Sequence, residues 1–386
     1  MSETKRIESL QEDTDSSVVS TKVERPVAMA AVGKTFIFPR EDNQYKKKES
    51  IPYDEVQTQV WRERPRQRQK EHLKEWLAYI MLGLGIGCTA FCMSMMEEHF
   101  SAWIVQGTQS LIDRDILTTG VKHQWVPWIF FASMSGLLGL IAGIMTTYWG
   151  QGAAGSGVAE YIGYCNGVNY PEFISIPTLI TKIFAVTLSV VGRLCIGKEG
   201  PLAHIGAVIG VLVLYTPNLG FEFLQNDEKR RCLAAAGASA GVSVAFGAPI
   251  GGTLFSYEMS RPNTFWRFSM IWKVFMSCAI GTFTLALLSN IASGNFTADW
   301  SGSTLKFGSL SDTDNVNALY LLPAAVILGI VGGCLGAFFI NINTRMGAIR
   351  KRLLTTKWIK PIETFCWCFV TASCFYWVPN LLQKCQ

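Results

Sequence analysis

The stretch Val190-Val191-Gly192-Arg193-Leu194-Cys195-Ile196-Gly197-Lys198-Glu199-Gly200-Pro201-Leu202-Ala203 decides the fold. An apolar segment, 173–192, interrupted only by Lys182, runs into Gly-Lys-Glu-Gly-Pro at 197–201 and out again into the uncharged run 200–221. Pro201 suits the first turn of a new helix, where no N–H is needed. Two further breaks lie in apolar sequence: Gly-Gln-Gly-Ala-Ala-Gly-Ser-Gly at 150–157 and Gly-Ala-Pro-Ile-Gly-Gly at 247–252. Non-helical backbone at membrane depth is tolerated only where it lines a cavity or is buried in protein. Broken helices of this kind point to the binding site of a transport protein.

Outward from these breaks the chain is long, apolar and helical. Uncharged runs occupy 76–96, 123–159, 200–221, 232–257, 274–298, 315–344 and 364–383, and about 20 apolar residues suffice to cross a bilayer. The spacing predicts helices near 74–97, 126–149, 174–193, 200–215, 229–238, 242–258, 265–289, 319–344 and 358–380. Charged residues make up 16% of the chain, against about 25% in soluble domains. Residues 1–75 hold 15 of the 34 Lys/Arg and 14 of the 29 Asp/Glu. The expected organisation is therefore a polar N-terminal segment, 1–70, and an all-α membrane body, 71–386.

Lysines 46–48 and the basic residues from Arg62 to Lys74 precede the first span, and Arg345, Arg350, Lys351, Arg352 and Lys357 form a second cluster. Both read as cytosolic flanks. The segment 290–318, with Asp299, Asp312, Asp314 and the sequon Asn295-Phe296-Thr297, reads as lumenal or external. A net charge of +5 is too small to argue for nucleic acid. Eleven cysteines without paired zinc spacing read as small buried hydrophobes, and four scattered histidines suggest no metal centre. No cofactor is expected; the partners expected are the lipid bilayer and a transported ion.

An anion leaving water needs replacement donors, and helix N-termini supply free N–H groups and a partial positive charge. Gly155-Ser156-Gly157, followed by Val158-Ala159-Glu160, offers such a terminus with a hydroxyl donor. Gly200 and Pro201 open another, and Glu199 places a carboxylate where an anion would be held. A carboxylate there competes with the anion and swings away when protonated, which makes a gate.

These stretches resemble the CLC family of chloride channels and chloride/proton exchangers. Gly-Ser-Gly-Val-Ala-Glu at 155–160 is similar to that family's Gly-Ser-Gly-Ile-Pro-Glu, with Ala159 in place of proline, and Gly-Lys-Glu-Gly-Pro at 197–201 is intact. Asn166-Gly167-Val168, Leu188–Gly192, Ala235–Ser243 and Ala245–Gly252 match as well, most closely the eukaryotic endolysosomal branch. The resemblance covers about 70–385 and implies a CLC-type bundle of tilted and re-entrant helices: the first inverted repeat and the start of the second. It implies that Ser156, Gly155, Gly157, Gly200 and Pro201 bind chloride and that Glu199 gates. It also implies a homodimer, or assembly with a full-length CLC subunit, in an intracellular or plasma membrane. The family's proton-carrying glutamate falls where Phe255-Ser256-Tyr257-Glu258 is followed by Met259. A thioether carries no proton, which favours a passive channel over an exchanger. The family's Gly-x-Phe-x-Pro motif, C-terminal tyrosine and CBS pair are not in this sequence. That leaves a third reading, a non-conducting subunit, and the chain alone is expected to conduct little chloride.

Plainer readings stand beside these. Ser156 and its glycines also fit a tight turn packed against a helix. Lys198 fits a snorkelling or field-setting charge. Lys182 and Arg193 are expected to pair with carboxylates or reach an interface, and Glu160 and Glu258 to be structural. Gly192 to Lys198 mimics a phosphate loop, but Glu199 stands where Ser or Thr would be needed.

Overall fold

A computed structural model describes residues 69–381, apart from 120–123, 169, 171, 218, 222–223, 261–267, 295–317 and 354–355. The basic flank ahead of Gln69, the sequon and the acidic loop residues lie outside the described residues, so the polar-segment and topology readings that rest on them are not addressed by it. The described elements are all helical.

α1, Gln69–Thr119, is a single helix of 51 residues, far longer than the 74–97 expected. Glu97, Glu98 and His99 end the apolar run, but no proline interrupts 69–119, so the helix continues. Its buried face, Tyr79, Leu82, Ile86, Ala90 and Met93, recurs every three to four residues. α2, Trp125–Ile144, passes through a π turn, Met145–Trp149, to a short 3₁₀ turn, Gln151–Ala153. α3, Val158–Cys165, was not among the expected helices. α4, Ile176–Val191, is capped by Ser175, whose hydroxyl accepts from the Thr178 N–H at 3.2 Å.

α5, Glu199–Val213, and α6, Asp227–Phe246, are the most deeply buried pair. The sequence suggested a break near 239–241; instead α6 runs unbroken to Gly247, whose φ of 65° ends it. α7, Pro249–Ser260, then starts on a proline. Gly237 and Gly241 are contact surface rather than breaks. A Cβ on Gly237 would meet backbone atoms of α5, 2.6 Å from the Gly206 carbonyl carbon and 3.1 Å from Ala207 N. Gly206 and Gly210 reciprocate, with hypothetical Cβ atoms 2.8 Å from Gly237 C and 2.9 Å from Leu233 C. This is small-residue packing of membrane helices.

α8, Phe268–Ala292, lies on α1 by the same device: a Cβ on Gly83 would be 2.7 Å from Ser277 O, and one on Gly87 2.8 Å from Gly281 O. α9, Ala318–Leu353, exposes every side chain described from Leu322 to Leu353. α10, Ile359–Leu381, docks on α2, where Gly136 and Gly143 receive Phe365 and Pro361. Arg350 ties α9 to α10 through two hydrogen bonds to Glu363, 2.6 and 2.8 Å.

Four segments are long and apolar enough to cross a membrane: His72–Arg114, Trp125–Trp149, Phe268–Ala292 and Leu322–Leu353. Their apolar side chains, such as Leu84, Trp103, Ile141 and Phe283, face outward, as a lipid solvent requires. The protein is an integral, multi-pass, all-α membrane protein. α5 spans only about 22 Å at 1.5 Å per residue, short of a hydrocarbon core of about 30 Å. It is therefore too short to cross the hydrocarbon core by itself. The cysteines divide: Cys165, Cys232, Cys278 and Cys368 are buried, whereas Cys88, Cys92, Cys195, Cys334, Cys366 and Cys374 are exposed. Burial of all of them was the wrong expectation, because in lipid an apolar thiol is equally at home on the outer surface.

Candidate functional site

Gly155 and Gly157 flank Ser156 with φ of 76° and 84°, left-handed values open to glycine. Gly157 caps α3, and a Cβ there would run into the imidazole of His204. The Ser156 hydroxyl accepts a 3.3 Å hydrogen bond from the Val158 N–H and is exposed. At α5, Leu202 is the first residue to bond back, to Lys198 O at 2.9 Å. Pro201 has no N–H, so Glu199 and Gly200 carry the amides that the helix does not use.

The two termini abut. A Cβ on Gly200 would lie 2.8 Å from Ser156 Cβ and 3.6 Å from a Val158 methyl. Ser156, Gly157, Glu199 and Gly200, 43 residues apart from Ser156 to Glu199, thus share one locus, and Pro201 begins the buried part of α5. Gly155 has open space around it. The half-buried Glu199 folds its carboxylate back over Gly197, which has no side chain to obstruct it.

Behind Gly157 lies a buried polar pair. Lys182, 1% exposed, places its ammonium 2.7 Å from His204 Nδ1, and His204 Nε2 is 2.8 Å from Phe173 O. A carbonyl only accepts, so Nε2 carries the hydrogen and Nδ1 accepts from the ammonium. The Phe173 ring stacks on the imidazole at 4.3 Å. Lys182 therefore pairs with an imidazole rather than the expected carboxylate, although Glu160 is close enough to interact with it electrostatically. Its cation sits behind the α3 terminus, where it adds to the positive potential of the helix end. Sequence reading missed His204; the available signal was a lysine in an apolar helix, which needs a partner.

The 192–198 segment is held from α1. Lys198 Nζ is 2.9 Å from Glu97 Oε2. One helical turn on, Ser101 Oγ accepts from Arg193 at 3.0 Å. Arg193 is the one positive-φ non-glycine among the described residues, at 59°, and its guanidinium lies 5.9 Å from the Phe131 ring. Among the described residues its partners are thus a hydroxyl and a ring rather than a carboxylate, the first of the two arrangements expected for it. α3 is tied to α7 and α6: Ser256 donates to Ala235 O at 3.0 Å and so accepts from the Tyr161 hydroxyl at 3.2 Å. Glu258 is exposed, and Met259 packs partly buried against the main core. Among the described residues no three His, Cys, Asp or Glu side chains gather as a metal centre.

Short helices whose N-termini meet inside a bundle of membrane-crossing helices define a class of transport fold. The profile described as voltage gated chloride channel matches residues 138–385. The chain belongs to that family, the CLC family. It is 30% identical over 352 residues to mouse H(+)/Cl(-) exchange transporter 7, covering 88% of this chain and 43% of that protein. It is 31% identical over 352 residues to Chloride channel protein CLC-d of Arabidopsis thaliana, covering 87% and 43%. The crystal structure of a eukaryotic CLC transporter superposes with a TM-score of 0.62 at 19% identity, over 83% of this chain and 53% of that one. A slow cyanobacterial Cl⁻/H⁺ antiporter gives 0.61 at 22% identity, over 78% and 64%. The chain spans less than half the length of the curated relatives it matches.

Proposed function

We propose that this chain takes part in carrying chloride across a membrane, with Ser156 as a chloride ligand and Glu199 as a carboxylate gate. The observation that carries this reading is the contact between the α3 and α5 termini. It sets the unused N–H groups of Glu199 and Gly200 beside the Ser156 hydroxyl, with the Glu199 carboxylate folded over neighbouring Gly197. An anion and the Glu199 carboxylate compete for the same donors, so protonation of Glu199 opens the path. Lys182, buried behind Gly157, supplies fixed positive charge.

Transport is of the channel type, because Met259 occupies the proton-glutamate position and cannot relay a proton. The relatives named as exchangers support the alternative, coupled chloride/proton exchange. The chain works as a homodimer or with a longer CLC subunit, in an endolysosomal or other intracellular membrane. Vesicles loaded with chloride, carrying the chain alone or with a longer CLC subunit, are followed with chloride and pH electrodes. The expected result is little efflux from the chain alone and, with the longer subunit, chloride efflux without stoichiometric proton movement that loses most of its pH dependence in Glu199→Gln. Uphill proton pumping driven by chloride refutes the channel type. Absence of any Glu199-dependent chloride flux in both preparations refutes the function.

A further inference from the structure

Lys198 is the residue immediately before Glu199 and caps α5, and its ammonium is paired with Glu97 on α1. Glu97 is 15% exposed, and its second oxygen, Oε1, is buried with no hydrogen-bond partner. Its other oxygen, Oε2, is the one on Lys198. We propose that Glu97 is the counter-ion that sets how much of the Lys198 charge acts on Glu199 and on the anion beside it.

The arrangement is specific to this corner of the fold. Glu97 and Ser101 lie on one face of α1, a turn apart, and hold the 192–198 segment by its two cations. The segment's own backbone bonds, Leu194 N to Ser189 O at 3.1 Å and Ile196 N to Leu194 O at 2.8 Å, leave Cys195, Ile196 and Gly197 exposed. Among the described residues, the charged and titratable groups linked to the two helix termini include Glu97 from α1, Glu160 from α3, Lys182 from α4, His204 from α5, and Arg193 and Lys198 from the segment itself. Of these, only Lys198 is adjacent in sequence to Glu199. Lys198 also has a paired carboxylate whose neutralisation would free it. With Glu97 ionised, the Lys198 field is largely cancelled. With Glu97 neutral, the ammonium acts on whatever negative charge occupies the meeting point of α3 and α5.

The proposal rests on the transport reading for its effect on the anion but not for its effect on Glu199, and the test separates the two. Glu97→Gln, Lys198→Gln and the double variant are purified as full chains. The protonation midpoint of Glu199 is read from its infrared carboxyl band, identified by its loss in Glu199→Gln. Halide affinity is read by bromide calorimetry. Glu97→Gln and Lys198→Gln should move the Glu199 midpoint in opposite directions, and the double variant should return it close to wild type. Bromide should bind about three- to tenfold more tightly to Glu97→Gln and more weakly to Lys198→Gln. A structural role would move both single variants the same way. That outcome, or a Glu97→Gln effect that persists without Lys198, overturns the proposal. Midpoints that move as expected while no variant binds bromide leave Glu97 as counter-ion and refute the anion site. Should Glu97→Gln not fold, Lys198→Gln decides alone: a lowered Glu199 midpoint overturns the assignment.

Discussion

Replacing Gly237 by alanine tests how α5 is held and, through α5, how Glu199 is presented. α5 and α6 approach so closely that the neighbours of a Cβ at Gly237 are backbone atoms, at 2.6 Å for Gly206 C and 3.1 Å for Ala207 N, together with the Gly206 carbonyl oxygen. Backbone cannot rotate aside as a flexible side chain can, so the helices must part by roughly 1 Å before ordinary van der Waals distances are restored. Overpacking of this kind costs about 1–3 kcal/mol. Gly237 lies in the fully buried stretch Cys232–Val244 of α6 and faces the buried part of α5, so the upper half of that range, about 2–3 kcal/mol, is expected. For a domain of this size that lowers Tm by about 4–10 °C. The control is Gly332→Ala on α9, where nothing lies within 4 Å of the added carbon. There the helix propensity of alanine over glycine should leave stability unchanged or raise it by up to about 1 kcal/mol. Thermal unfolding of the purified variants, followed by tryptophan fluorescence, makes the comparison. If Gly237→Ala is as stable as wild type, or if the two substitutions are indistinguishable, the account of the α5–α6 contact is wrong.

Glu75→Ala should cost about 3–5 kcal/mol, because Glu75 is 2% exposed and pairs with Lys229 at 2.6 Å and Lys273 at 2.8 Å, leaving two cations without a counter-ion; the same unfolding assay measures it, and a loss under 1 kcal/mol counts against a buried triad. Ser156→Ala removes the hydroxyl at the meeting point of the two helix termini and should lower the preference for chloride over nitrate in reversal-potential measurements, whereas unchanged selectivity in a well-expressed variant argues against Ser156 as a ligand.

Much of the fold was legible in composition and periodicity because lipid imposes one requirement on every residue it touches. Long uncharged runs must be helices, since no other open structure satisfies its own backbone there. The glycine break at 197–201 marked the start of short α5 for the same reason, whereas the break at 150–157 was legible without the short α3 that follows it. Boundaries set by polar residues were less legible. Glu97 and Glu98 looked like the end of a helix, yet α1 continues to Thr119, because a charge that finds a partner, as Glu97 finds Lys198, need not end anything. The glycines of α6 were equally ambiguous. Gly241 falls in the expected break at 239–241 when α6 is considered alone and, with Gly237, becomes a contact surface once α5 is laid against it.

By itself, then, the sequence determined that this is an apolar all-helical protein, that it has breaks at membrane depth, and that Ser156 and Glu199 are its candidate site residues. Solvent and local geometry dictate the helices and breaks, and the family resemblance of the motifs at 155–160 and 197–201 singles out the two site residues. Only the tertiary structure decided that the α3 and α5 termini touch, that Lys182 is matched by His204 rather than a carboxylate, and that Lys198 turns to Glu97. Each of these joins residues 22 to 101 positions apart. Which distant charge meets which is fixed by how helices cross, and helix crossing depends on side-chain shape along whole faces rather than on any short motif.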